Sequence, residues 1–213
     1  MAGRAVLFAA DPEAIELLQG MELDRKGLIE VVRFADRERA LCTSNDVRGF
    51  DLITVNDKAA RGLREIFCGK NWVKDETDNQ AGIRNPRLGI RVIACNFDDN
   101  TGNELVDPTN RVAKGAASRT KARCNATGWL PGLPEIVPAD VAVKTWVLGI
   151  YSQENEPLRA ELSLPIPFSG DRYTLFSKRI ILLSGIDETG PVRQENFERP
   201  RPVEVVDIAI RRK

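Results

Sequence analysis

AVLFAADPEAIELLQG, residues 5–20, decides how the fold is read, because two structural periods meet inside it. Ala5, Val6, Leu7 and Phe8 form a short unbroken apolar run, the pattern of a strand covered on both faces. Asp11 then offers a helix cap, Pro12 stands at the first helical position and Glu13 in the first turn. Ile15, Leu17 and Leu18 supply an apolar side, and Gly20 ends the segment. A strand feeding a helix is a βα unit.

Working outward, residues 28–34 (LIEVVRF) are rich in β-branched side chains and read as a second strand, with residues 36–42 as a helix. Residues 52–55 read as a third strand. Asn56 and Asp57 would cap a helix over 58–68, with Ala59, Leu63, Ile66 and Phe67 facing inward and Gly69 ending it. This alternation argues for an α/β fold with a mostly parallel N-terminal sheet and helices. Residues 74–80 (KDETDNQ) are a polar break, Asn85-Pro86 a turn signal, and residues 90–95 the next apolar run.

Four of these runs stop on acids: Asp11, Asp36, Asp57, and the pair Asp98 and Asp99. If all four are parallel strands, their carboxyl ends share the rim where open α/β sheets bind ligands. Asp11, Asp57, Asp98 and Asp99 are therefore candidate ligands for Mg2+, and candidate catalytic groups. The first turn holds no glycine (AADPE, residues 9–13), so a dinucleotide fingerprint is absent, and Gly69-Lys70 lacks the glycine and hydroxyl residue of a phosphate loop.

Beyond residue 98 the charge separates into blocks. Asp98, Asp99, Glu104 and Asp107 come first; Arg111, Lys114, Arg119, Lys121 and Arg123 follow without an acid. The basic block also contains Gly115, Ala116, Ala117, Ser118 and Thr120, small residues that let a phosphate approach the backbone. These five cations are the candidate phosphate-binding residues; the plainer reading is a solvated segment answering the acids beside it. DDNTGNE, residues 98–104, has its glycine one place too early for a calcium loop and reads as a turn.

Residues 128–138 (GWLPGLPEIVP) form a proline-punctuated connector, and residues 141–151, 158–164, 172–183 and 203–211 read as antiparallel strands continuing or flanking the first sheet. Glu161 and Lys178 on neighbouring strands would supply the acid and ammonium of a metal-dependent nuclease, with Asp140, Glu154 or Glu156 as a second ligand. The compact acid-x-lysine pair is missing, since Ser163 stands where Lys is needed, and a cross-strand ion pair explains the same residues. Arg211, Arg212 and Lys213 place positive charge at the end of the sequence, where it suits an acidic partner or blunts an edge strand.

The 213 residues suit one compact domain, 1–213, divisible into a βα-rich part, 1–73, and a β-rich part, 88–213. Lys plus Arg equals Asp plus Glu at 31 each, so any polyanion must be recognised by local charge. Histidine is absent, which excludes Ser-His-Asp and Cys-His chemistry, His-ligated zinc and a histidine base. Cys42, Cys68, Cys95 and Cys124 lack zinc spacing and read as idle thiols of a reducing, cytoplasmic compartment. The short run before Asp11 has neither the span of a membrane helix nor a cleavage site, so no membrane association is expected. Asn125-Ala126-Thr127 matches the glycosylation triplet, a frequent chance occurrence.

Three roles fit these residues. The first is binding of a phosphate ligand, nucleic acid or another polyanion. The second is magnesium-dependent phosphodiester cleavage by clustered carboxylates, and the third a non-catalytic subunit docking on a protein partner within a larger assembly.

Overall fold

The computed structural model describes residues 5–127, 143–166 and 170–185. The connector 128–138, Asp140, the run 203–211 and the terminal cations 211–213 lie outside them.

The protein is α/β. Its described residues form seven strands and four α-helices in the order β1 (Ala5–Phe8), α1 (Pro12–Gly20), α2 (Arg25–Arg39), α3 (Phe50–Phe67), β2 (Val73–Asp75), β3 (Gly82–Asn85), β4 (Ile90–Asn96), α4 (Ala116–Thr127), β5 (Lys144–Tyr151), β6 (Arg159–Pro165) and β7 (Phe176–Leu183). All strands join one mixed sheet, β1-β7-β6-β5-β4-β3-β2. Two pairs are parallel, β1 with β7 and β4 with β5; the other four are antiparallel.

The expected mostly parallel N-terminal sheet does not form: of the strands before residue 100, β1 pairs in parallel with β7, while β2 pairs antiparallel with β3 and β3 with β4. Residues 28–34 and 52–55, expected as strands, are helical and belong to α2 and α3. In α2 the buried set Leu28, Val31, Val32 and Ala35 recurs at helical spacing, and Asp24 caps the helix by accepting the Gly27 N–H at 2.7 Å. In α3 Val55, Ala59 and Leu63 do the same, so residues 52–67 lie in one helix where a strand and a separate helix over 58–68 were expected, and Cys68 is extended just beyond its end. The two helices pack closely at glycines: a Cβ on Gly27 would lie 2.8 Å from the Phe67 ring, and one on Gly62 3.3 Å from Val31. Residues 73–75 and 82–85, in and beside the polar break, pair as a small hairpin on β4.

Each face of the sheet has its own apolar layer. On one, α1, α2 and α3 cover Val92, Leu148, Ile150, Leu162 and Ile180. On the other, Ile93, Cys95, Val147 and Phe176 meet Phe97, Tyr173 and Ala122 of α4. The alternation of neighbours such as Val92 and Ile93 between layers is the period of an extended strand.

Candidate anion-binding sites

β1, β4, β5 and β7 all point the same way, so Asp11, Asp98 and Asp99 do follow strands that end at one rim of the sheet. They are not neighbours there. β1 and β4 are four strand spacings apart in the sheet order, roughly 19 Å at ~4.8 Å each. Asp57 lies in α3 beside Lys58 at 3.4 Å, and Asp36 lies in α2, where its carboxylate accepts the Ser152 hydroxyl at 2.6 Å. The Asp11 carboxylate accepts the Phe8 N–H at 2.9 Å, and that of Asp98 takes the Asn100 N–H at 3.2 Å and the Thr109 hydroxyl at 3.0 Å. Among the described residues no group of three or more acids and cysteines is gathered as a metal site.

The basic block divides. Lys121 is 5% exposed, and its three protons meet Thr77 O at 3.1 Å, Gln80 Oε1 at 2.6 Å and Asp78 Oδ2 at 3.0 Å, so its charge is spent holding α4 to the β2–β3 hairpin. Arg119 and Arg123 lie one turn apart on the exposed side of α4. Arg111 and Lys114 precede the helix: the Arg111 N–H donates to Asn96 O at 3.0 Å and that of Lys114 to Asp171 O at 2.8 Å. Asn125 of the glycosylation triplet is 2% exposed. Its amide donates to Thr145 O and Pro165 O and accepts the Thr145 N–H, which leaves no atom presented to a modifying enzyme.

Glu161 and Lys178 sit on opposite faces of the sheet, since Lys178 registers with Leu164 while Arg179 registers with Ser163. Glu161 instead meets Arg179 in the expected kind of cross-strand ion pair, with both side chains fully buried.

The structure exposes a cationic feature that the sequence reading passed over. Once residues 25–39 are helical, Lys26, Glu30, Arg33 and Arg37 fall on one exposed row, with Arg25 beside it. Together with Ile29 and Leu183 they line a groove of about 450 Å³ at the end of β7, four cations against one acid. Helix stability does not account for this placement. Arg37 suits the negative end of the helix dipole, but Arg25 and Lys26 occupy a first turn with no acid. Arg33 and Arg37, one turn apart, repel by a few tenths of a kcal/mol. A second, larger groove between the α2–α3 connection and residues 153–154 carries Arg39 and Arg48 against Asp46, Asp51 and Glu154, which cancels its field. The helical spacing of cations at 26, 33 and 37 was the available signal, hidden by the β-branched residues between them.

Compared with protein-family models, with curated proteins and with solved structures, the chain matches none.

Proposed function

We propose that this protein binds a phosphate-bearing polyanion, nucleic acid being the polymer that fits, along α2. The observation that carries this reading is the row Arg25, Lys26, Arg33 and Arg37 beside its groove. From residue 25 to 37 a helix advances about 18 Å, which spans roughly five phosphates of one strand. Exposed guanidinium groups on a rigid helix suit backbone contacts that position a strand without reading its bases.

The test is fluorescence anisotropy with labelled single- and double-stranded oligonucleotides across a salt series. Four phosphate contacts give a slope of log K against log salt of about −3 to −4, and Arg33→Gln with Arg37→Gln lowers its magnitude by about 1.5–2 for every sequence tried. Arg119→Gln with Arg123→Gln serves as the comparison on α4. No binding at low salt, or an unchanged slope in the α2 variant, ends the proposal.

A second reading, docking on a protein partner, is favoured by exposed apolar side chains at the start of α3 and in the connection before it: Leu41 at 74%, Val47 at 72% and Ile53 at 60% exposure. It predicts that Val47→Asp lowers affinity for a purified partner while leaving the melting temperature unchanged.

A further inference from the structure

A smaller cavity lies at the carboxyl end of β4, away from the cationic row on α2. It encloses about 360 Å³ and is lined by Gly49, Leu52, Ile53, Asn56, Asn96, Val112 and Lys114. The volume falls in the range of small-molecule pockets. Its position at the end of a strand with a parallel neighbour, β5, is where α/β sheets hold ligands.

The chemistry of the lining narrows the occupant. Leu52, Ile53 and Val112 give apolar walls, and Ile53 and Val112 are 60% and 52% exposed, so the walls face water when nothing lies between them. Lys114 is the single charged lining residue, and no carboxylate lines the cavity to neutralise it. Lys114 is half-buried, and its ammonium carries three donor protons, which suits an anionic acceptor. The Asn96 side-chain amide donates one N–H to Leu52 O at 2.8 Å, which leaves its second N–H as a donor and its oxygen as an acceptor. Asn56, exposed on α3, offers both a donor and an acceptor. Apolar walls suit a flat ring, paired amides suit the in-plane edge of a nitrogen heterocycle, and one ammonium suits one anionic group.

We infer that this cavity binds a small planar nitrogen heterocycle carrying a single anionic group, of which a nucleoside monophosphate is the simplest biological case. The inference stands apart from polyanion binding on α2, because it uses different residues and a different balance of apolar and charged contact.

Calorimetric titration of the whole protein with adenosine 5′-monophosphate, adenosine and inorganic phosphate tests it. The monophosphate is expected to bind with a dissociation constant on the order of 10–100 µM, the range set by ligand size. Adenosine should bind about tenfold more weakly for want of the charge-assisted contact, and phosphate alone should not saturate. Lys114→Met should abolish the difference between monophosphate and adenosine, and Asn56→Leu should weaken both, with melting temperatures reporting that each variant is folded. Arg33→Gln with Arg37→Gln should leave the monophosphate affinity unchanged. The inference is overturned if the monophosphate fails to saturate at millimolar concentration. It is equally overturned if Lys114→Met binds the monophosphate as tightly as the parent, or if binding is lost in the α2 variant and kept in the Lys114 one.

Discussion

Arg179 grips Glu161 with both arms of its guanidinium: Nε donates to Oε1 at 2.9 Å and Nη2 to Oε2 at 2.5 Å, with neither side chain exposed. The remaining capacity of the pair is also used. Glu161 accepts the Gly102 N–H at 2.9 Å and the Ser163 hydroxyl at 2.6 Å, while Arg179 donates to Val106 O at 3.0 Å and Asp107 Oδ1 at 3.2 Å. The pair thus fastens the connection after β4 onto strands β6 and β7. Two buried charges gain little over apolar residues when both are present, but one left alone is costly. Glu161→Gln or Arg179→Met is therefore expected to lower stability by about 3–5 kcal/mol in urea unfolding, and the double variant by clearly less than the sum of the two. Additive losses would show that the pair does not act as a unit.

A contrast between two glycines follows from the packing of Phe97. A Cβ on Gly149 would stand 2.1 Å from the Phe97 ring, which is fully buried and meets Phe176 at a centroid distance of 5.8 Å. A Cβ on Gly20, at the end of α1, meets nothing within 4 Å. Gly149→Ala should cost about 1–3 kcal/mol through overpacking, and Phe97→Ala in the same chain should relieve part of that clash. Gly20→Ala should be neutral or stabilise by about 0.4–1 kcal/mol by restricting the unfolded chain. Equal effects at the two positions in thermal melts would contradict this packing.

The sequence made α1 and the longer strands readable because their signals are local. Asp11, Pro12 and Gly20 bracket α1, and the apolar runs of β4 through β7 stand between turn residues. α2 was misread because Ile29, Val31, Val32 and Phe34 resemble a buried strand. What settles the matter is tertiary: α3 lies against α2, admitted by the missing side chains at Gly27 and Gly62. The cationic row was lost with that helix, since Lys26, Arg33 and Arg37 align only at 3.6 residues per turn. The basic block failed for a different reason. Lys121 reads as available charge until residues 77, 78 and 80, more than forty positions earlier, are brought against it. Strand partners were equally hidden: β1 pairs with β7, from the far end of the described chain.

Acid should weaken the protein through Asp75. This carboxylate is 6% exposed; burial opposes its ionisation, but the Thr77 hydroxyl and N–H and the Arg91 guanidinium outweigh burial and hold its pKa below the ordinary value. A carboxyl with a depressed native pKa contributes stability above its unfolded value of about 3.9, and that contribution is lost as pH falls through the native value. Asp75→Asn should accordingly be less stable than the parent at pH 7, and the gap in urea midpoint should narrow as pH drops below about 4. A gap that stays constant down to pH 2.5 would assign the effect to packing alone.

The four thiols should separate by reactivity. Burial raises the Cys95 pKa, against the opposing pull of the Lys114 ammonium, and Cys95 is 2% exposed beneath α4. Cys42 and Cys124 are half-buried and so lie nearer the solvent. Thiolate is the reacting species, so a thiol with a raised pKa and no solvent contact reacts only when the structure opens. In a disulfide-exchange assay at pH 8, Cys95→Ala should leave the native reaction unchanged and remove one equivalent after unfolding in denaturant. If the substitution instead removes a native-phase equivalent, Cys95 is open to solvent and the layer formed by Phe97, Tyr173 and α4 does not seal that face of the sheet.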